Sequence, residues 1–476
     1  MEDVCAWLTV PRHPSPVKHM KTRKSETVKA VAVVGAGWAG CAAAVELTLR
    51  GHRVTLLEAA RIPGGRARGL RQTAGTAPVV SDDWTDRLDN GQHILLGAYT
   101  ETLRMMRAVG VDIEASLLRL PLQMRYPPGT GGMDFVAPRL PAPFHLLVAL
   151  LRTRGLARAD KLALARFSSL ARWIGWRLNQ DCTVVQLLER FNQTERVTLL
   201  LWRPLCLAAL NTPPERASAQ VFLNVLRDSL GARRSASDML LPRTDLSQLF
   251  PQPAARLVER HGGQVHYGVR VQAVVQAIGR RRLDTGTAAL QQSEGGFDAV
   301  VLATPAAETL RILTPLSVDT AAMASACEPI TTCYLQYAPT LSLPLPFYAL
   351  QDVPALAHWG QFVFDRGQLD TAQAGLLAVV ISASVQAVAL DHPALGAAIA
   401  LQLATVFGEP MLAAPARIKI ISEKRATFSC TPGLARAPCA SGIDGLLLAG
   451  DHVASDYPAT IEAAVRSGID AARAIG

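Results

Sequence analysis

VAVVGAGWAG, Val31 to Gly40, sets three glycines between an apolar run, Ala30 to Val34, and a helical stretch, Trp38 to Arg50. Gly35 permits a tight turn, Gly37 lets backbone approach a pyrophosphate, and Gly40 allows close packing of helix on strand. The helix N-terminus, with Trp38 and Ala39 in its first turn, then faces the phosphates. A second apolar run, Val54 to Leu57, closes on Glu58. An acid at the end of the second strand of such a unit accepts hydrogen bonds from ribose hydroxyls; the plain alternative is a surface glutamate. The stretch predicts a Rossmann-like α/β domain that binds a dinucleotide.

Composition bounds the rest. The chain has 476 residues, 49% of them hydrophobic, with mean hydropathy +0.19, enough apolar surface for more than one core. Aromatics are only 5% while Ala and Leu are plentiful, so the part outside the nucleotide domain reads as largely helical. Eight cysteines show no CxxC pair, and the ten histidines no HExxH or other ligand spacing, so a metal site is not expected. No GxSxG elbow and no P-loop is present. Net charge is +9, but no recognition-helix or aromatic-interleaved basic pattern accompanies it, which argues against nucleic acid and for a solvated face or a membrane surface. Residues 1–28 form a basic extension, expected to be disordered, in which VCAWLTV is too short and too broken by Pro11 for a secretory signal; Met20 is a second possible start. No apolar stretch reaches the ~18–20 residues that span a bilayer. The expected location is the cytoplasm, with peripheral contact on the inner face of the membrane as an option.

Three further segments narrow the cofactor. ARIPGGRARG offers an exposed turn at Gly64 and Gly65, followed by Arg66, whose fork of donors suits a phosphate. LDNGQHILLGAY, Leu88 to Tyr99, places a polar turn, Asp89-Asn90-Gly91-Gln92-His93, before an apolar run. LLLAGDHVASDYPATIEAAVRSGIDAARA, Leu446 to Ala474, is a strand, a turn at Gly450, and a helix expected to start at Pro458, with Ile461, Ala464, Val465, Gly468 and Ile469 on one face. Together these resemble the flavin-containing amine oxidase and phytoene desaturase superfamily, which implies FAD. The resemblance implies that Gly91 and Gln92 line the flavin and that Asp451 meets its ribityl-phosphate part. The amides around Thr460 and Ile461 would then stabilise negative charge on the reduced ring.

The middle of the chain is more specific. LWRPLCLAALNTPPERASAQVFLNVLRDSL, Leu201 to Leu230, and SDMLLPRTDLSQLFP, Ser237 to Pro251, look like the bacterial squalene-associated flavoproteins of hopanoid biosynthesis, the hydroxysqualene dehydroxylases. The resemblance runs from about Val31 to Ala474. It departs at Asp456 and Ala463, where relatives are expected to carry glycine.

Organisation follows from the return of nucleotide-domain patterns. FAD-binding segments are expected at 29–100, 251–312 and 441–476; a second, α+β substrate domain takes 101–250, mainly helical, and 313–440. Between Leu257 and Val275 alternating strands are expected around Val265, Tyr267, Val269 and Val271, with Val271 as the backbone contact to the adenine that the resemblance implies. Ala303-Thr304-Pro305 is a further turn near the cofactor or an ordinary crossover. Strand-like runs appear at Thr331 to Gln336 and Leu376 to Ser382. Between Pro141 and Asn179, seven basic residues are opposed by Asp160 alone, and Leu162, Leu164, Phe167, Leu170, Trp173 and Ile174 recur at helical spacing. That pattern suits a helix lying in a lipid interface, and equally one that buries a face within the domain.

The resemblance implies a reaction: hydroxysqualene, reduced FAD and a proton give squalene, oxidised FAD and water. Hydroxide leaves poorly, so an acid is expected at the departing oxygen: His93 first, then Asp456, then Tyr457, with an ordered water as donor equally compatible with the sequence. A water-insoluble isoprenoid would be the substrate, and neighbouring squalene-pathway enzymes are possible partners. The rival readings are a carotenoid-type desaturase or an amine oxidase on the same scaffold, and a non-catalytic flavin-binding lipid carrier.

Overall fold

In the computed structural model, residues 27–70, 84–277, 279–285, 296–318, 321–323 and 325–476 are described. Residues 1–26, most of the basic extension, lie outside them. The strand Ala30–Val34 (β1) is flanked on one side by Arg53–Glu58 (β2), which pairs in turn with Gln264–Tyr267 (β3). On its other side lie Ala299–Leu302 (β4) and then Leu446–Leu448 (β5), and all the pairings are parallel. β1 is central because it is apolar on both faces: Val31 and Val33 join one buried cluster, Ala32 and Val34 another. A parallel strand covered on both faces needs this continuous apolar run rather than alternation.

The helix Trp38–Leu49 (α1) follows the glycine turn and is buried from Trp38 to Thr48, far beyond an amphipathic stripe. Its small residues explain this, since Ala42, Ala43 and Ala44 admit close neighbours, including the C-terminal helix Ile461–Ile475. The α/β class expected from the glycine turn is the fold observed, with the parallel sheet drawn from three separated stretches of chain. β3 is shorter than the sequence suggests. It ends at Tyr267 because Gly268 adopts φ +70°, so Val269 and Val271 lie beyond the strand rather than on it.

A second sheet is antiparallel, with strands in the order Phe347–Ala349, Phe362–Asp365, Leu376–Ser382, Cys327–Gln336 and Arg417–Phe428. Alternation divides its side chains. Cys333, Leu335, Leu377 and Val379 pack under the helix His392–Phe407, while Tyr334, Phe347, Phe364 and Ala378 face the opposite cluster with Leu88 and Leu241. That second face meets the stretch before His93. Smaller sheets and helices make up the rest, and Phe144–Arg152 (α2), Arg158–Trp173 (α3) and Ala219–Ser229 (α4) surround a core containing Phe167, Trp202 and Phe222. Among the described residues no helix is long and apolar enough to cross a membrane.

Candidate flavin site

Two glycine turns lie back to back above the ends of β1 and β2. Gly35 has φ +101°, and a Cβ there would sit 2.6 Å from the Ala303 carbonyl oxygen. A Cβ at Gly40 would sit 1.8 Å from the Gly35 oxygen. Both glycines are therefore required by the fold itself. Gly37 is different: its φ of −70° suits any residue, and a Cβ there would meet only the Gly65 Cα, at 4.0 Å. The space beside Gly37 is thus kept open without any protein atom needing it. Gly64 donates its N–H to the Ala36 oxygen at 2.8 Å, which holds the second turn against the first. No side chain caps α1, and no acid stands in its first turn, so the amides of Trp38, Ala39 and Gly40 face this gap without a side-chain acceptor. An open cradle at uncapped helix amides fits a pyrophosphate.

Glu58, at the end of β2, accepts from the amide of Ala36 at 2.6 Å and from that of Ala60 at 2.8 Å. Each carboxylate oxygen keeps a second lone-pair direction for a ribose hydroxyl. Val271 is buried after the end of β3, beside Val34 and Leu57, and its carbonyl accepts from Arg311.

Arg66 and Asp451, each expected at a phosphate, are brought together instead. Arg66 donates to the Asp451 carboxylate at 2.5 Å and to the Ala426 carbonyl at 2.6 Å. Burial acts to raise the Asp451 carboxyl, but the Arg66 charge and nearby His452 outweigh it and hold the group well below the usual carboxylate range. This pair ties the second glycine turn to the tail. Gly450, with φ +148°, opens the turn after β5 and donates its amide to the Ser467 hydroxyl at 2.8 Å.

The tail helix begins at Ile461, three residues later than Pro458. Thr460 is its N-cap, with the hydroxyl accepting from the Ala463 amide at 3.2 Å, and this bond rather than the proline ring fixes the start. Glu462 in the first turn points elsewhere, accepting from Thr102 N at 2.9 Å and Thr102 Oγ1 at 2.7 Å. The positive end of the helix at Thr460 and Ile461 therefore keeps part of its field for a ligand.

Residues 89–93 bridge the two sheets. Asn90 donates to the Arg66 carbonyl at 3.1 Å, while Tyr334 of the antiparallel sheet donates to the Asp89 carbonyl at 3.0 Å. The Asp89 carboxyl accepts from the Leu246 amide, and burial pushes it up to about 7 against the pull of Arg366. Arg366 is itself fully buried and donates to Gln92 Oε1 at 3.0 Å and Gln373 Oε1 at 2.8 Å. Sequence reading missed this clamp; a lone arginine directly after the apolar FVFD run was its only signal.

His93 Nδ1 lies 2.7 Å from the Gly91 carbonyl oxygen. A carbonyl only accepts, so Nδ1 carries the hydrogen and, in the neutral ring, Nε2 is an acceptor. Burial lowers the pKa of His93, against the Gly91 contact. Tyr457 donates its hydroxyl to Asp228 at 2.7 Å, and burial together with that carboxylate pushes the phenol up to about 12. Asp456 is exposed, its backbone carbonyl held by Asn224 of α4 at 3.0 Å. His93 and Tyr457 are thus both partly buried, Tyr457 is committed to a neighbouring carboxylate, and Asp456 stands in solvent. Among the described residues no group of His, Cys, Asp and Glu is arranged to hold a metal ion.

Paired glycine turns on a parallel sheet, an acid at the second strand, and a capped helix end facing the same region define an FAD-dependent oxidoreductase. The chain belongs to the flavin containing amine oxidoreductase family, which it matches over residues 38–476. It is similar to the hydroxysqualene dehydroxylase of Rhodopseudomonas palustris, 30% identical over 463 residues that cover 93% of this chain and 97% of that protein. The hydroxysqualene dehydroxylase of Sinorhizobium fredii is 28% identical over 458 residues, with the same coverage of 93% and 97%. In fold it is similar to wild-type putrescine oxidase bound to putrescine, with TM-score 0.63 at 17% identity over 94% of this chain and 98% of that one.

Proposed function

We propose that the protein removes the hydroxyl group of hydroxysqualene reductively, giving squalene and water. The observation that carries this is similarity to the two hydroxysqualene dehydroxylases along nearly their whole length. When bound and reduced, FAD would supply the hydride that the allylic carbon requires. The chain's own part is to hold the cofactor at Gly35, Gly37, Trp38, Ala39, Gly40, Glu58, Gly64 and Gly65, to frame the ring with Gly91, Gln92, Gly450, Thr460 and Ile461, and to seat the adenine at Val271. Arg66 and Asp451 close this frame as a pair.

His93 is the proposed acid. Its Nδ1 contact with Gly91 directs Nε2 away from that carbonyl, and in the imidazolium form Nε2 carries a proton for the departing oxygen. The Arg366 clamp on Gln92 keeps residues 91–93 in place while this happens. An isoprenoid substrate accords with the relatives' names. Association with neighbouring squalene-pathway enzymes belongs to the same proposal.

Anaerobic incubation of the purified holoprotein, reduced at its flavin, with hydroxysqualene tests the reading. Squalene should form as the oxidised-flavin spectrum returns. A protein that retains flavin yet yields no squalene overturns the substrate assignment and leaves the fold untouched.

A further inference from the structure

The apolar stripe read from α3 is split by the structure. Leu164 and Phe167 are buried in the helical core, and Leu170 and Ile174 pack against it, so that face is not free. The uncovered apolar surface lies mainly on α2. Phe144, Leu147 and Leu151, spaced as one helical face, are between 52% and 66% exposed, and Leu140 precedes them on the surface. On α3, Leu162 and Trp173 are exposed too, Trp173 at 84%. The two helices are neighbours: Leu146 of α2 lines the same small crevice as Phe167, Ser168 and Arg172 of α3.

Charge decides what covers this face. Arg139, Arg152, Arg154, Arg158, Arg166 and Arg172 flank it, all exposed, and none forms an ion pair with a described residue. The acid within the stretch, Asp160, is buried, accepting from the Ala157 amide at 2.9 Å and the Thr194 hydroxyl at 2.7 Å, so it does not offset them. Lys161 donates to the Leu151 carbonyl at 2.8 Å, fastening the end of α2 to the start of α3. An apolar ridge of Leu and Phe beside uncompensated guanidinium groups complements a surface that is apolar below and anionic at its rim.

We infer that α2, with Leu162 and Trp173 of α3, seats the protein on an anionic lipid bilayer, with Phe144, Leu147 and Leu151 entering the acyl boundary and the arginines meeting headgroup phosphates. This stands apart from the substrate assignment, since it concerns binding to lipid vesicles whether or not turnover occurs.

Flotation of the holoprotein with vesicles tests it, using equal phosphatidylglycerol and phosphatidylcholine in one arm and phosphatidylcholine alone in the other. Native protein should float with the anionic vesicles and lose that binding in high salt. R152Q/R154Q/R158Q should weaken anionic binding by about 100-fold, at ~1 kcal/mol for each charge. L147E, and F144E/L147E/L151E, should abolish flotation while flavin absorbance and the thermal midpoint stay at native values. Should the triple variant fail to retain flavin, L147S serves at its single exposed position, with an expected loss of at least about tenfold. Native protein that does not float, or an L147E variant that floats as well as native, overturns the inference. So does a native dimer, seen by light scattering, that L147E dissociates while no form binds vesicles, because the face would then belong to a second copy.

Discussion

Replacing Gly37 with Ala separates what the glycine turn owes to folding from what it owes to the cofactor. A methyl at this position finds the Gly65 Cα at 4.0 Å and no closer protein atom, and φ −70° with ψ 179° is open to alanine. The loss of an N-cap glycine costs roughly 0.5–1 kcal/mol, and the smaller entropy of the unfolded chain returns about 0.4–1 kcal/mol. The apoprotein should thus keep its stability to within about 1 kcal/mol. On the proposed reading of the site, the cofactor would meet the same methyl in the gap assigned to its phosphates. Loss of two charge-assisted hydrogen bonds at ~1.5 kcal/mol each weakens binding by about 100-fold. Flavin-free protein, titrated with FAD by fluorescence quenching, gives the affinity; thermal unfolding of the apoprotein gives the stability. G40A is the control, since its Cβ would lie 1.8 Å from the Gly35 oxygen and should prevent folding outright. A G37A protein that binds FAD within threefold of native, or that fails to fold as G40A does, would refute the distinction.

Four more outcomes are expected. If protonated His93 is the acid, the single-turnover rate should rise as pH falls, reaching its plateau only below about 6.5 because burial lowers this group's pKa; H93Q should retain flavin and flatten the profile. R66M should destabilise more than D451N, by roughly 2–4 against ~1 kcal/mol in chemical denaturation, because it strands a carboxylate that is 9% exposed whereas the arginine is 37% exposed and rehydrates. The Asp89 carboxyl is raised from its ordinary 3.8 to about 7 in the folded state, so the stability it lends in acid is lost progressively as pH rises from about 4 to about 7; in melts D89N, which keeps the acceptor for Leu246, should gain on native protein across that window and hold the gain above it. Y457F should turn over within about threefold of native in a product assay, because the phenol proton is already committed to Asp228.

The parallel sheet was legible because its signals are local. Glycine spacing, the apolar run before it and the acid at Glu58 all lie between Ala30 and Glu58 and depend on nothing distant. Arg366 was not legible, since its meaning depends on residues 92 and 373 being brought to one buried point by the pairing of separate strands. The face of α3 was read with the correct period and two partners left open, a lipid interface or the domain itself: spacing reveals a stripe, but only packing shows that Leu164 and Phe167 are covered within the domain while Phe144 and Leu147 are not. The start of the tail helix slipped for a similar reason. Proline favours a first turn, yet the threonine hydroxyl two residues later outcompetes it with a direct bond to Ala463. The Arg66–Asp451 pair could not be foreseen, because both ends were assigned separately to an anionic ligand.

That pair has a bearing on how the protein is made. During synthesis the Gly35 and Gly64 turns emerge early, β3 and β4 much later, and the strand Leu446–Leu448 with Asp451 nearly last. Arg66 must wait 385 residues for its carboxylate. At ~5–20 residues per second this is a delay of roughly 20–80 seconds, during which the growing chain exposes a half-built sheet edge and an arginine without its counterion. On the proposed reading of the site, cofactor capture would accordingly wait for the finished chain, and loss of the last strand should leave a protein that has made most of its core yet holds no flavin.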